Sequence, residues 1–481
     1  MTKSFYGMVL PTKNYVLNNY AHHKFDDENY LVTTEHGAWI LLTGREFELL
    51  RLQKAHEDPE LFSELEQKGI ILTLDNTKKV IADFRERNRF MLSPPTLHII
   101  VPTLRCNQRC VYCHSRAQPM EGKKYDLDKD TARQTVDFIL STPVDSLTIE
   151  FQGGDCMLNY DITEFIIDYA KEKAEAKSKT VQFSLVTNLT LLDRDILNSL
   201  VDRGVRGIAT SFDGPKEVHD KNRKYLGGRG TYDDVVNWID IIKSEYKDKM
   251  NLNAMATITK HSLGMGKEMV EEYRERKFSA IWLRPLNNIG FAADSWEKIG
   301  YSTEEYLDFY RDTLDYILEV NRKGNQFREM MTTIFLKKII SKRDPQMVDI
   351  ESPCGAAIGQ VLYNFNGDIH TCDEAKLFQE LKIGNVKTSS FRDIIDNDLT
   401  VTMIDISSKK NYLCDACEWN AYCGICPIYT YASQGTIVSK LPMDAKCKTY
   451  GEILTNLFKK MLFSEEDKKV LLSWIDRGGL F

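Results

Sequence analysis

Cysteine placement divides this 481-residue chain before any other pattern does, because its eleven cysteines are so unevenly spread. None falls in the first hundred residues. Three then sit together in Cys106-Asn-Gln-Arg-Cys110-Val-Tyr-Cys113, Cys156 follows alone, and seven lie between Cys354 and Cys447. A disulfide framework would not be spread in this way. The segment after Met1 lacks an uninterrupted apolar stretch, so no signal peptide is read and the chain is expected to be cytoplasmic. In that compartment clustered cysteines serve metals or catalysis. The net charge of −7 leaves no basic footprint for nucleic acid. No apolar run approaches the roughly 18 residues that a membrane span needs.

The length is enough for about three domains. Residues 1–90 precede the cysteine triplet and read as a small module. A short strand at 30–34, a turn at Glu35-His36-Gly37 and an apolar run at 38–42 lead into helical spacing at 45–54 and 59–68. Gly69 stops the second helix, and 70–73 closes as a strand. The charged stretch 83–91 reads as a linker. From Leu97 onward strand and helix patterns alternate. Strands are expected at 97–102, 147–151, 181–187, 207–212, 252–257 and 280–284. Helices are expected at 128–140, 162–176, 193–202, 232–246, 265–275 and 303–321. Repeated βα units imply an α/β fold with a parallel sheet, and six of them a partial (β/α)6 barrel over residues 91–325. The triplet follows the first strand, at the carboxyl end where such barrels keep their chemistry. Residues 326–481 hold the second cysteine group and two closing helices, at 450–461 and 465–474.

Three thiolates can hold three irons of a [4Fe–4S] cluster and leave the fourth open. A zinc site completed by His114 is the alternative, although zinc prefers four closed ligands in separated pairs. A Cys-x3-Cys-x2-Cys loop placed after a strand resembles the signature of the radical S-adenosylmethionine (radical SAM) enzymes. The resemblance implies that SAM chelates the open iron and is cleaved to a 5′-deoxyadenosyl radical, which removes hydrogen from an unactivated carbon. Tyr112 stands where that family carries an aromatic residue near the adenine. After the second strand, Gly153-Gly154-Asp155 resembles the family's Gly-Gly-Glu motif, whose bare backbone approaches the SAM amine; Asp155 replaces the usual Glu. After the fourth strand, Ser211-Phe-Asp213-Gly with His219-Asp220 and Arg223 resembles the peptide- and protein-modifying branch. There Ser211 and Arg223 would contact the ribose and carboxylate of SAM. Thr187-Asn188, after the third strand, is a weaker candidate. Cys156 reads as a packed small side chain.

The second group runs Cys354, Cys372, Cys414-Asp-Ala-Cys417, Cys423-Gly-Ile-Cys426 and Cys447. It resembles the SPASM domain, with two residues instead of the usual three between Cys423 and Cys426. By that resemblance Cys414, Cys417, Cys423 and Cys447 would hold one auxiliary [4Fe–4S] cluster, and Cys354, Cys372 and Cys426 a second. Seven thiolates leave one of eight positions to an open iron or another ligand, with Asp373 and Glu374 candidates by adjacency. A zinc ribbon is the bland alternative for the Cys-x-x-Cys pairs.

Taken with the N-terminal module, phrases such as Leu283-Arg-Pro-Leu-Asn287 and Ser352-Pro-Cys-Gly355 look most like the His-Xaa-Ser system radical SAM maturases. The module itself resembles the winged-helix-like elements that bind a leader peptide as an added strand. The implied substrate is a ribosomally made precursor peptide, crosslinked through carbon–carbon or thioether bonds, with flavodoxin or ferredoxin as electron donor. An epimerase would need a hydrogen donor, and Cys156 is the one cysteine outside the cluster sets. The rival enzyme reading is an anaerobic sulfatase maturase forming formylglycine, against which the long N-terminal module argues. The rival outside catalysis is an iron–sulfur scaffold or sensor.

Overall fold

Parallel pairing organises the middle of the chain. The computed structural model describes residues 15–408 and 412–475. Six parallel strands lie side by side in chain order: Leu97–Thr103, Ser146–Gly153, Thr180–Val186, Gly207–Ser211, Asn251–Thr257 and Leu283–Arg284. In the second, Leu147, Ile149 and Phe151 are buried while Thr148, Glu150 and Gln152 are only partly covered. The buried set shares the main core with Val136 and Ile139 of helix Lys129–Ile139 and Ile166 and Ile167 of helix Tyr160–Ala176. Side chains alternate along a strand, so Glu150 and Gln152 look into the barrel. Asp128 and Asp193 cap their crossover helices by accepting backbone N–H groups of the first turn.

The single strand expected at 280–284 is two. Ala280–Ile281 pairs with Arg328–Glu329, whereas Leu283–Arg284 stays with the barrel. The break is a change of partner around Trp282.

The sheet does not stop at the first strand. Gln360–Tyr363 lies parallel to it, with Gln360 opposite Leu97 and Tyr363 opposite Ile100. Asp368–His370 and Lys382–Asn385 follow antiparallel, giving nine strands in all among the described residues. Helix Met330–Ile340 and the closing helices Ala445–Phe463 and Glu465–Ser473 place Phe335, Leu454, Leu457 and Leu471 in the same core as the barrel.

The N-terminal module has its own core, built on Val32, Leu50, Leu65 and Ile71. Strands Tyr20–Lys24, Tyr30–Thr34 and Trp39–Leu42 form an antiparallel meander, and Val16–Leu17 pairs with Ile71–Leu72. Helix Gly44–Arg51 starts at a Thr43/Glu46 capping box, and helix Pro59–Lys68 runs from the Asp58 cap to Gly69 at φ +71°. The stretch read as a linker is instead ordered. Helix Thr77–Arg87 spans most of it, and Arg87 is buried, donating to the carbonyls of Lys338 (3.0 Å) and Ala421 (2.6 Å). Burial of a charged group requires such partners. The charge pattern pointed to solvent because nothing in the local sequence announces those distant carbonyls.

The module seats on the segment between Cys417 and Cys423. Thr33 donates to the Glu418 carbonyl at 2.8 Å, His23 meets the Glu418 carboxylate at 2.8 Å, and Tyr422 donates to the Gly37 carbonyl at 3.2 Å. Phe458 packs under it against Trp39 and Trp419.

Candidate active site

The triplet occupies a loop held from three sides. Arg105, just before Cys106, clasps the Asp126 carboxylate with two hydrogen bonds of 2.7 Å. Backbone N–H groups of Arg109 and Val111 donate to the carbonyls of Lys224 (2.8 Å) and Asn222 (2.9 Å). Those bonds bring the Arg223 segment against the cysteines. The third side is the loop before helix Phe291–Ile299, where the Phe291 N–H donates to the Cys113 carbonyl at 3.0 Å.

Within this frame Cys106 and Cys110 are buried and Cys113 is half-buried. Burial pushes the Cys106 thiol well up and Cys110 to about 11, with Arg223 pulling Cys110 the other way. Buried thiols crowded in one loop become good ligands once a cationic centre displaces their protons. Asn188 reaches Cys106 Sγ from the end of the third strand at 3.6 Å, and the Gln108 N–H reaches it at 3.4 Å.

Arg223 lies beside the triplet and not at a distance from it. Its Nη1 donates to Tyr112 Oη at 2.9 Å and its Nη2 to Gln108 Oε1 at 3.3 Å, while Nε is buried with no partner. A buried guanidinium N–H left over after these bonds, in the loop that follows the fourth strand, fits an anionic group such as a carboxylate. Tyr112 in turn donates to Asp213 at 2.8 Å, and Asn222 also bonds that carboxylate. Ser211 ends the fourth strand, half-buried and on the face turned into the barrel.

The glycine pair is explained first by the protein itself. A Cβ on Gly153 would stand 2.3 Å from the Thr103 carbonyl oxygen, and one on Gly154 would stand 2.1 Å from that of Arg105. The second strand therefore ends in direct backbone contact with the cysteine loop, and only glycine permits it. Asp155 is likewise committed inward. Its carboxylate accepts from Thr187 Oγ1 (2.9 Å), the Asn188 N–H (2.8 Å) and the Met157 N–H (3.0 Å), tying the second strand end to the third. Cys156 is sealed in the core, its thiol donating to the Val186 carbonyl at 3.5 Å.

The C-terminal cysteines fall into two groups. Cys414, Cys417, Cys423 and Cys447 line one cavity with Trp419, and Cys426 borders it too. Cys417 and Cys447 are pushed up to about 12 and about 11, first by burial, then by Glu418 and neighbouring thiols at Cys417 and by Cys417 and Asp444 at Cys447. Cys354 and Cys372 share a separate apolar cluster with Cys426 at its edge. Among the described residues no two cysteines are joined in a disulfide, and no three His, Cys, Asp or Glu side chains surround a single-ion site.

The groups are linked by side chains that sequence reading missed or misplaced. His114, considered there as a zinc ligand, lies 3.4 Å from Asp373. Glu374 accepts from Asn287 Nδ2 at 2.6 Å. Glu150, inside the barrel, accepts from Gln152 (2.7 Å) and Ser184 (3.0 Å), and burial raises its pKa. Its strand position was legible, but a lone glutamate among alternating residues carries no motif.

The comparisons agree with this geometry. Residues 100–281 match the radical SAM superfamily, and residues 354–423 match the SPASM iron-sulfur cluster-binding domain. The chain is a radical SAM barrel carrying a C-terminal SPASM domain, and these domains bring a SAM-binding [4Fe–4S] cluster, auxiliary clusters and SAM. Among its relatives is the cysteine-type anaerobic sulfatase-maturating enzyme of Clostridium perfringens, 24% identical over 385 residues, covering 77% of this chain and 98% of that one. The serine-type enzyme of Bacteroides thetaiotaomicron is 20% identical over 382 residues, covering 75% and 89%. Native anSMEcpe with bound AdoMet and Cp18Cys peptide superposes with a TM-score of 0.65 at 19% identity, over 80% of this chain and all of that one. Streptococcus suis SuiB bound to precursor peptide SuiA superposes at 0.53 and 13% identity, over 90% of this chain and all of that one. Residues 97–481 cannot supply that larger share alone.

Proposed function

We propose that this chain modifies a ribosomally made precursor peptide and forms a crosslink in it. The observation that carries the reading is the N-terminal module seated on the Cys417–Cys423 segment, together with the likeness to SuiB that reaches into it. In this reading Cys106, Cys110 and Cys113 hold the SAM-binding cluster. Cys414, Cys417, Cys423 and Cys447 hold one auxiliary cluster, and Cys354, Cys372 and Cys426 the other. When bound, these groups supply a radical that takes hydrogen from an unactivated carbon and an acceptor for the surplus electron.

The chain's own residues orient and enclose. Arg223 offers Nε to the SAM carboxylate while Tyr112 and Gln108 fix its other nitrogens. Ser211 offers a hydroxyl to the ribose, and Gly153 and Gly154 hold the cysteine loop against the second strand. Glu150, Gln152 and Ser184 present polar atoms to a peptide entering the barrel. The sealed position of Cys156 leaves no such thiol to quench a carbon radical, which favours crosslinking over epimerisation. A cytoplasmic setting and a flavodoxin or ferredoxin as donor complete the proposal.

The test is co-expression with precursor peptides under anaerobic conditions, followed by mass spectrometry of the peptide and measurement of 5′-deoxyadenosine. A mass loss of two hydrogens per crosslink is expected. Unchanged precursor alongside efficient 5′-deoxyadenosine formation would overturn the substrate. A second reading, formylglycine formation on a sulfatase, is favoured by the coverage of nearly the whole C. perfringens enzyme. Conversion of a sulfatase-derived Cys or Ser peptide, with precursors untouched, would establish it.

A further inference from the structure

The chain carries a net charge of −7, yet residues 216–229 hold five cations against two carboxylates. That segment is bonded to the cysteine loop. The Arg109 N–H donates to the Lys224 carbonyl at 2.8 Å, the Leu226 N–H donates to the Asn107 carbonyl at 3.1 Å, and Gln108 pairs antiparallel with Tyr225 between them. Side chains alternate along such a ladder. Gln108 is buried, and its backbone N–H lies 3.4 Å from Cys106 Sγ. Arg109 and Lys224 stand opposite each other on the other face, both exposed.

Like charges directly opposite on a ladder repel. Among the described residues neither of this pair has a salt-bridge partner, and nor has exposed Lys221. The ion pairs formed alongside use other cations: Lys216–Asp220 at 3.8 Å, Arg229–Asp234 at 2.7 Å and Arg116–Asp294 at 2.8 Å. Arg109 rests on the Phe291 ring, 5.0 Å from its centroid, and the Phe291 N–H in turn holds the Cys113 carbonyl. Leu226, 44% exposed, ends the strip as an apolar tip.

We infer that this strip, built on Arg109, Lys221, Lys224 and Leu226, is the docking surface for an acidic flavodoxin. The inference rests on the reading that Cys106, Cys110 and Cys113 hold a cluster reduced by an external donor. One electron passes from the reduced flavin to that cluster; the carrier is oxidised by one electron, and no bond in this chain forms or breaks. A flavodoxin presents an apolar flavin edge ringed by carboxylates, so Leu226 meets the edge and the three cations meet the ring. Transient redox encounters bury little area, and complementary charge sets their on-rate. Arg109 precedes Cys110 and Gln108 touches Cys106, so only the loop's own backbone separates a carrier seated here from the thiolates.

The experiment uses the full chain with its clusters reconstituted and a flavodoxin of net negative charge. Oxidised flavodoxin should bind the wild type in calorimetry at low salt, and reduced flavodoxin should drive 5′-deoxyadenosine formation at a rate that falls steeply with added salt. Lys221→Glu with Lys224→Glu should weaken binding and slow the flavodoxin-driven rate roughly tenfold or more, and flatten the salt dependence. Iron content and the dithionite-driven rate should hold. Lys459→Glu with Lys469→Glu, on the closing helices, makes the same charge change and should leave binding near wild type. A flavodoxin whose carboxylate ring is replaced by lysines should reverse the order and bind the Lys221→Glu, Lys224→Glu protein more tightly than the wild type. Equal flavodoxin binding and rate in the wild type and that variant, or a loss seen with ferredoxin alone, overturns the inference and leaves the cluster reading standing. A wild type that dithionite reduces and flavodoxin does not overturns the choice of donor, and the inference with it.

Discussion

His114 and Asp373 stand 3.4 Å apart, so the residue after Cys113 touches the residue after Cys372. The cysteine loop of the barrel and the first strand hairpin of the SPASM region are therefore neighbours across a side-chain contact. Glu374, the next residue, joins the same seam by accepting from Asn287 Nδ2 at 2.6 Å.

Iron content tests the cysteine sets. Three clusters correspond to about twelve irons per chain. Replacing Cys106, Cys110 and Cys113 by Ala should remove about four and abolish 5′-deoxyadenosine formation, leaving the C-terminal irons. Stoichiometric zinc in place of iron in anaerobically prepared protein would refute the assignment.

Arg223→Ala should weaken SAM binding by roughly ten- to a hundredfold, as a charge-assisted hydrogen bond of 1.5–3 kcal/mol implies. Because Arg223 also holds Tyr112 and Gln108, the comparison should be made by calorimetry on protein whose iron content has been verified. Equal affinity in the variant would remove Arg223 from the SAM site.

His98 gives stability a pH-dependent part, which should fall as pH drops from 8 to 6. His98 is fully buried, and desolvation lowers its pKa to about 3. The folded state thus keeps it neutral while the unfolded chain takes up a proton near the ordinary histidine pKa. Its contribution is complete above that value and is lost progressively as pH falls toward 3. Between pH 8 and 6 the loss is about 1 kcal/mol. His98→Leu sacrifices the bond to Tyr363 (3.0 Å) at every pH and so offsets the urea midpoint throughout; the loss of the titration itself is read in the slope of midpoint against pH, which should change as well. An unchanged slope would mean that His98 takes up its proton without unfolding.

Deleting residues 1–90 would strip cover from Trp419, Tyr422 and Phe458, so a milder change tests the module better. Exposed Ile81 and Phe84 line a groove of about 250 Å³ with Asn18, Asn19 and Leu72. If the module recognises the precursor, Ile81→Glu with Phe84→Glu should cut peptide product severalfold while 5′-deoxyadenosine formation without peptide holds. Wild-type product yield would make the module a cap only.

Arg87→Ala should destabilise the seat itself by about 1.5–3 kcal/mol, since two carbonyls lose a charged donor. Hydrogen exchange should rise in 20–42 and in 414–423 together. A rise in one alone would show that the two segments do not share this anchor.

Much of this architecture was legible because it depends on short-range pattern. Helix Pro59–Lys68 carries its stop and start in Asp58, Pro59 and Gly69, and the barrel strands carry apolar runs between helical periods. Strand Tyr20–Lys24 was missed since Tyr-Ala-His-His-Lys has little apolar alternation; its partner Tyr30–Thr34 defines it. Gly153 and Gly154 stand out by motif, but the contact that demands glycine there is with Thr103 and Arg105, about fifty residues back in the chain. The His114–Asp373 contact spans a greater distance still. Motif spacing reports what one loop does and is blind to which other loop it meets.

The pairing of Gln360–Tyr363 on Leu97–Thr103 has a consequence for the order of events during synthesis. One edge of the first strand finds its neighbour at Ser146–Gly153 soon after both leave the ribosome. The other edge waits until some 260 further residues have been made. Through that interval the strand that precedes the cysteine triplet shows unpaired backbone to the cell, the kind of edge that recruits foreign strands. A nascent chain truncated after the barrel would keep that edge permanently, so solubility of such fragments should depend on chaperones where the full chain's does not.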